Sequence, residues 1–129
     1  MIATESHFDK RTQEIIERYF DIPAAKQNEL GDNLQQIRLE GGEWLFHQGE
    51  VADSFYILLR GRLQVWLESR GKQRLEEPEL IGRVTPGESV GELALLSRGT
   101  RSAGIRAVRD STLIRISRTS FQQLTVQHP

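Results

Sequence analysis

Residues 91–103 read GELALLSRGTRSA, and this stretch decides how the chain folds and what it can hold. It places the carboxylate of Glu92 and the guanidinium of Arg101 nine positions apart, joined by a short apolar turn and a glycine-containing loop. Backbone N–H groups at the start of a helical turn favour an anion, and an arginine fork matches the geometry of phosphate. A nearby glutamate can accept hydrogen bonds from sugar hydroxyls. The pattern predicts a pocket for a sugar that carries a single phosphate, as in a small nucleotide.

The same stretch resembles the phosphate-binding cassette of cyclic-nucleotide-binding domains, which occur in protein kinase A regulatory subunits, the catabolite activator protein and cyclic-nucleotide-gated channels. The family pattern is Gly-Glu-Leu-Ala-Leu, a short variable loop, and then Arg-(Ser/Thr/Ala)-Ala, and this chain carries all of it. Upstream, LFHQGE at 45–50, FYIL at 55–58 and Gly61 are similar to the family's second and third strands. The likeness covers residues 33–125.

This resemblance implies a role for each cassette residue. Arg101 is the partner of the ligand phosphate, and Glu92 is the acceptor for the ribose 2′-hydroxyl. Gly91 lets the backbone approach the sugar closely, which a side chain would block. The remaining cassette residues offer backbone N–H groups or a hydroxyl to the ligand, and they are Leu93, Ala94, Ser102 and Ala103.

The identity of the base is left open between cAMP and cGMP. By resemblance, Ile81 and Val84 lie where the base packs, although both fit equally well as ordinary core positions. The family often has a polar residue near Gly82, which glycine cannot replace. The hydroxyl of Ser102 occurs in binders of both nucleotides. Beyond this ligand no cofactor is predicted, and widely spaced histidines without cysteine predict no metal site.

Composition indicates one soluble globular domain of 129 residues, with 37% hydrophobic and 27% charged residues. A net charge of −1 and the lack of a helix-turn-helix pattern argue against nucleic-acid binding by this chain. The lack of cysteine excludes disulfides and thiol nucleophiles and fits a cytoplasmic location. No secretory signal is recognisable, and no apolar run approaches the ~20 residues of a membrane span.

Hydrophobic periodicity predicts helices first and strands afterwards. An apolar stripe predicts a helix over 8–20, and a second helix is expected over 23–30. From Leu34 onward, short alternating runs separated by glycine turns predict strands, at 34–40, 44–47, 54–59, 62–68, 74–76, 81–84, 104–109 and 112–117. The charged residues 68–80 are expected to form a longer connection, an exposed hairpin loop, and a last helix is expected over 120–127.

Many short strands at regular spacing predict a mainly β fold, an antiparallel sandwich or barrel. The family resemblance implies, in agreement with this, an antiparallel eight-stranded jelly roll, or double-stranded β-helix, with flanking N- and C-terminal helices. The predicted organisation is an N-terminal helical segment, 1–33, and a nucleotide-binding β-roll with a short C-terminal helix, 34–129. The family's lid helix and effector do not follow, so the chain is expected to be a piece of a larger protein.

A competing motif overlaps the cassette, because 87–91 reads GESVG and matches the G-x-S-x-G elbow of serine hydrolases. The order Ser89, Asp110, His128 also mimics that class. An elbow needs a strand before the serine and a full helix after it, within a much larger α/β sheet. Here a Pro-Gly turn precedes Ser89, and His128 is the penultimate residue. Hydrolysis by Ser89 is therefore kept only as a remote alternative.

The segments 107–113, 117–118 and 127–129, together with Phe121, are similar to the regulatory domains that precede patatin-like phospholipases of the neuropathy-target-esterase type. This likeness implies an effector domain outside the chain that is a lipid esterase, with a transcription factor or a kinase as competing parents. The chain itself is predicted to be a non-enzymatic regulatory domain that binds a cyclic nucleotide. The alternative is a jelly-roll interaction module that has lost nucleotide binding.

Overall fold

The computed structural model describes residues 1–3, 8–21, 27, 34–91 and 99–120. Most of these residues lie in β-strands, with one long helix between the first two strands. The strands and the helix are β1 (Ile2–Ala3), α1 (Lys10–Phe20), β2 (Gln35–Leu39), β3 (Trp44–Phe46), β4 (Ser54–Arg60), β5 (Leu63–Arg70), β6 (Gln73–Val84), β7 (Ser89–Val90), β8 (Gly104–Ala107) and β9 (Ser111–Ser117). Within these ranges no helix is long and apolar enough to cross a membrane.

The strands form two antiparallel sheets that share one core. The five-stranded sheet has the order β1-β2-β9-β4-β7, and the four-stranded sheet has the order β3-β8-β5-β6. Both sheets contribute to one buried apolar cluster, which includes Leu39, Leu58 and Leu113 from the first sheet and Leu63 and Ile105 from the second. The mainly β, antiparallel fold predicted from the short alternating runs is confirmed, and so is the jelly roll implied by the family resemblance.

Helix α1 covers the outer face of the five-stranded sheet. Asp9 caps its N-terminus by accepting a hydrogen bond from the N–H of Thr12 at 2.8 Å. Ile16 is fully buried in a second apolar cluster, which contains Phe55 of β4. Asp21 ends the helix in a left-handed conformation, with φ of 57°. The predicted helix over 8–20 is therefore confirmed, with its first helical residue at 10.

Two further helix predictions fall mainly outside the described residues. Of the predicted helix over 23–30, only Gln27 is described, and it is helical and buried. Residues 118–120 are helical, and the rest of the predicted helix over 120–127 lies outside the described residues. The division of the chain at residue 33 stays a prediction, although α1 packs directly on the β-roll.

The exposed hairpin predicted over 68–80 is observed, but these residues extend the paired strands β5 and β6 instead of forming a long loop. β5 continues to Arg70, β6 begins at Gln73, and Gly71 makes the turn with φ of 58°. The predicted strands over 74–76 and 81–84 are parts of this single β6. Most of β6 is exposed and it lies at a sheet edge, where a proline is tolerated. With little of the hairpin buried, the sequence carries no alternating pattern that would reveal it.

The side chain of Gln48 completes the edge of β5 beyond Trp66, which pairs with Gly104, the first residue of β8. Its Oε1 accepts hydrogen bonds from the backbone N–H groups of Glu68 and Ser69, at 2.7 and 2.9 Å. In return the carboxylate of Glu68 accepts a hydrogen bond from the N–H of Gln48 at 2.8 Å, and it meets Nδ1 of His47 at 2.8 Å. Burial raises the pKa of Glu68, but the hydrogen bonds from His47 and Gln48 outweigh it and hold that pKa below its usual range.

Candidate functional site

The backbone of Arg101 is fixed by pairing with the loop that follows β3. The N–H of Arg101 donates to the carbonyl of Glu50 at 2.8 Å, and the N–H of Gly49 donates to the carbonyl of Arg101 at 2.8 Å. Gly49 can make the preceding turn because its φ is +91°, a region that side chains disfavour. The arginine of the cassette is thus held in a short antiparallel ladder.

The guanidinium of Arg101 lies in a seat built from three neutral groups. One terminal nitrogen, Nη2, donates to the carbonyl of Ser54 at 2.6 Å, and Nη1 donates to the carbonyl of Gly91 at 3.2 Å. The carbon between them lies 4.1 Å from the centre of the Phe46 ring, in a cation–π contact. We name the Phe46 ring and the carbonyls of Ser54 and Gly91 the arginine seat.

Arg101 is a buried cation, since only 4% of its surface is exposed. No carboxylate of the described residues forms an ion pair with it. Burial lowers its pKa, an effect that the longer-range attraction of Asp53 and Glu50 opposes, and arginine stays charged in either case. A buried charge is costly unless it is compensated, so a seat of neutral acceptors leaves Arg101 strongly attractive to an anion.

Gly91 is required at its position for two structural reasons. Its φ is +88°, where a side chain would be strained. A Cβ built on it would also lie 2.3 Å from Nη1 of Arg101, which is far inside contact distance. The prediction attributed this glycine to close approach of the sugar, whereas the structure shows that its backbone already approaches the guanidinium of Arg101.

The structure brings only part of the predicted site together. Gly91 and Arg101 are in direct contact. Of the two residues that follow Arg101, Ser102 is exposed and Ala103 is half-buried. Three predicted residues lie outside the described residues, and these are Glu92, Leu93 and Ala94.

The two apolar residues predicted to contact the base differ in their surroundings. Val84 is 5% exposed and belongs to the core shared by the two sheets, so it serves as a core residue. Ile81 is 51% exposed and sits where the register between β5 and β6 shifts, next to Gly82. Of the two, only Ile81 presents an apolar surface that a planar base could cover.

A cleft of about 430 Å³ lies beside the arginine seat. Its lining includes Arg101, Phe46, Tyr56, Glu50, Asp53 and Arg115. Of the described residues that were predicted for ligand binding, only Arg101 lines this cleft.

Sequence reasoning missed the residues that hold Arg101 in place. Ser54 acts through its backbone carbonyl and Phe46 through the face of its ring, so neither shows the polar side chain that usually indicates a site. Their neighbours Glu50 and Asp53 lie in the loop that precedes FYIL at 55–58, where acidic residues look like ordinary surface positions.

Ser89 does not occupy a hydrolase elbow. It lies on the two-residue strand β7, which pairs antiparallel with β4, and its hydroxyl accepts a hydrogen bond from the hydroxyl of Tyr19 at 2.8 Å. Asp110 instead accepts hydrogen bonds from Arg38 and from the N–H of Gly41, both at 2.9 Å. His128 lies outside the described residues. An antiparallel edge strand differs from the strand–elbow–helix that positions a nucleophilic serine.

The arrangement around Arg101 agrees with a family match that covers most of the chain. The family model described as "Cyclic nucleotide-binding domain" matches residues 36–128. The chain belongs to this family. Among curated relatives of the domain, the lysophospholipase nte1 of Neosartorya fischeri is 38% identical over 96 residues, which cover 74% of this chain and 6% of the relative. The domain therefore spans only a small part of the curated relatives it matches, and the predicted likeness to the neuropathy-target-esterase type is confirmed.

Solved structures give the same result. The regulatory domain of Toxoplasma gondii PKA, crystallised with cAMP, superposes with a TM-score of 0.69 and 25% identity, covering 88% of this chain and 41% of that one. The EAL enzyme Bd1971 in its cGMP-bound form superposes with a TM-score of 0.61 and 27% identity, covering 72% of this chain and 23% of that one. Both likenesses extend over most of the cyclic nucleotide-binding domain described above.

Proposed function

We propose that this domain binds cAMP or cGMP, and that the guanidinium of Arg101 holds the cyclic phosphate. The observation that carries the proposal is the burial of Arg101 in a seat of neutral groups. Each terminal nitrogen of an arginine carries two N–H donors, so each retains a donor beyond its bond to a carbonyl. A phosphate on the guanidinium would add charge-assisted hydrogen bonds, which are about twice as strong as neutral ones.

The remaining contacts of the proposed site come from the cassette and from β6. Glu92 would accept from the ribose 2′-hydroxyl, while Leu93, Ala94, Ser102 and Ala103 would donate to the ligand. Ile81 would pack against the base through its exposed side chain. Gly82 offers no polar side chain to the base, so these contacts favour neither purine. One similar structure contains cAMP and another contains cGMP, which supports both ligands as candidates.

We further propose that the domain is a regulatory, non-catalytic part of a longer polypeptide whose effector hydrolyses lipids. This is supported by the curated relatives, which are lysophospholipases of which the domain covers 6%. Regulation would be a population shift, in which the ligand favours one arrangement of the cassette and the flanking helices over another. Such a shift requires that the ligand bind the two arrangements with different affinity.

Calorimetric titration with cAMP and with cGMP tests the binding proposal, with Arg101→Ala as the decisive variant. We expect saturable binding by the parent and a loss of ~2–5 kcal/mol in the variant, the range for truncating one partner of a buried charge pair. Arg38→Ala is the matched control, since it removes the same charge from an exposed arginine that pairs with Asp110.

Circular dichroism of each variant would show whether the fold is retained. If Arg101→Ala folds and binds as tightly as the parent, the phosphate assignment is refuted. If the folded parent binds neither nucleotide, the interaction-module alternative replaces the proposal.

A further inference from the structure

We propose that Glu50 and Asp53 determine the specificity of the Arg101 site, by favouring a singly charged phosphodiester over a doubly charged phosphomonoester. The inference rests on the proposed binding of a cyclic nucleotide and adds the class of phosphate that the site accepts. It assigns a function to two acidic residues beside the arginine that is proposed to bind an anion. Without such a function, their negative charge would only weaken the binding of the ligand.

Backbone geometry fixes both acidic residues to the arginine seat. The carbonyl of Glu50 accepts from the N–H of Arg101 at 2.8 Å, which places the two residues directly opposite each other. Asp53 precedes Ser54, and the hydroxyl of Ser54 donates to its Oδ1 at 2.8 Å. The carbonyl of the same Ser54 holds the guanidinium of Arg101. Glu50, Asp53 and Arg101 also line one cleft.

Among the described residues that line this cleft, Arg101 is the cation without an ion-pair partner, since the N-terminal ammonium of Met1 pairs with Glu43. Arg115 lines the cleft as well, but its Nη2 lies 3.5 Å from Oδ2 of Asp53, so its charge is already partly offset. Tyr56 contributes a phenol hydroxyl, which accepts a hydrogen bond from the hydroxyl of Ser54 at 3.1 Å. The first negative charge of a ligand would be met by Arg101. A second negative charge would find no further unpaired cation among the described lining residues. It would be repelled by Glu50 and, less strongly because Arg115 offsets part of its charge, by Asp53.

Phosphodiesters and phosphomonoesters differ in their net charge near neutral pH. A cyclic phosphodiester carries one negative charge at any pH above about 2, whereas a phosphomonoester carries ≈ −1.5 to −2 at pH 7, because its second pKa is ≈ 6. Repulsion between charges depends on separation and on solvent, and it is weakened where the carboxylate is exposed. The side chain of Asp53 is 72% exposed. Each carboxylate is therefore expected to make only a modest difference between the affinities for a phosphodiester and a phosphomonoester, and this difference should decrease as the salt concentration rises.

The test compares three adenosine ligands by calorimetry at pH 7.5 and low salt. cAMP and the methyl ester of 5′-AMP each carry one charge, whereas 5′-AMP carries close to two. The methyl ester lacks the ring of cAMP, so it separates charge from shape. The variants are Glu50→Gln, Asp53→Asn and their combination. Glu79→Gln is the control, because it makes the same change in net charge at an exposed residue paired with Arg70.

We expect the methyl ester to bind more tightly than 5′-AMP. In the double variant the affinity for 5′-AMP relative to cAMP should rise on the order of tenfold, and about threefold in each single variant, as expected for one added repulsion in a solvated cleft. The gap between cAMP and 5′-AMP should narrow at 1 M salt, where the Debye length is about 3 Å. A purely structural role for these side chains would not produce that salt dependence. Glu79→Gln should leave the ratio unchanged.

Three results would overturn the inference. One is an unchanged ratio in the folded single variants while cAMP still binds, which leaves the proposed function standing. Another is a methyl ester that binds as weakly as 5′-AMP, which would show that the ring and not the charge is selected. The third is a parent that does not bind cAMP or cGMP at all, which removes the proposed function and this inference together. If cGMP is the tighter ligand, the guanosine series replaces the adenosine series.

Discussion

Replacing Gly91 by alanine is expected to weaken the fold and the anion site together. A Cβ at this position would lie 2.3 Å from Nη1 of Arg101, so the guanidinium has to move. Arginine ends are usually flexible, but this one is also bonded to the carbonyl of Ser54 and stacked on Phe46. Movement would therefore break the bond to the Gly91 carbonyl and disturb the rest of the arginine seat.

The expected loss has two parts. The positive φ of Gly91 disfavours any side chain by roughly 1–2 kcal/mol. Loss of a hydrogen bond from a charged donor adds about 1.5–3 kcal/mol. Gly87→Ala separates the two parts, because Gly87 has a φ of +95° and a Cβ there would meet nothing within 4 Å. We therefore expect about 1–2 kcal/mol of destabilisation in the control and about 2.5–5 kcal/mol in Gly91→Ala.

Urea unfolding, followed by the fluorescence of Trp44 and Trp66, would measure the free energy of unfolding of both variants. Calorimetry with cAMP and cGMP would measure binding. Gly91→Ala should bind at least about tenfold more weakly than Gly87→Ala, since a 1.4 kcal/mol difference is already tenfold. Equal stability and equal affinity of the two variants would refute the reasoning, because the contact with Arg101 would then have no energetic weight.

Two further predictions concern the framework around the site. Gly61→Ala should destabilise the fold by about 2–6 kcal/mol in urea unfolding, because its φ is +103° and a Cβ would lie 2.2 Å from Oγ of Ser111 and 2.7 Å from its Cα. The control is Gly49→Ala, because a Cβ at Gly49 would meet nothing within 4 Å. A loss of stability in Gly61→Ala no larger than that in Gly49→Ala would contradict this prediction. Because the folded-state pKa of Glu68 lies below its ordinary value of 4.5, its carboxylate stabilises the fold above that value, and the stabilisation is lost as pH falls through the folded-state pKa. Glu68→Gln should flatten the dependence of stability on pH below 4.5, and an unchanged pH profile would show that the carboxylate makes no such contribution.

Strands could be predicted from the sequence where buried positions alternate with less buried ones along the strand. In β9 the buried and half-buried positions alternate for most of its length, and the strand predicted at 112–117 is observed from 111. The hairpin of β5 and β6 lacked such a pattern, because charged residues occupy both faces of a β6 that is mostly exposed. Backbone pairing, the ion pair between Arg70 and Glu79 and the hydrogen bonds to Gln48 maintain the exposed part of that hairpin. Such contacts between distant residues leave no trace in local composition.

The sequence could predict those site residues that belong to a motif of side chains with fixed spacing. Arg101 and Gly91 belong to a motif with fixed spacing, and the structure brings them into contact. Phe46 and Ser54 could not be identified, since one acts through a ring face and the other through a backbone carbonyl. Almost any residue type at position 54 would present the same carbonyl, so only the folded chain shows which one faces the guanidinium.

The arginine seat determines when, during synthesis of the chain, the proposed anion site can form. Arg101 and Ser54 are 47 positions apart, and the seat also needs Phe46 from β3. Such distant contacts form late, because a long loop has to close before they add any stability. A nascent chain that has produced β3 and β4 but not residue 101 has no site for an anion. Any ligand of Arg101 would therefore recognise only the finished roll and would select the completed molecule over its partly folded precursors.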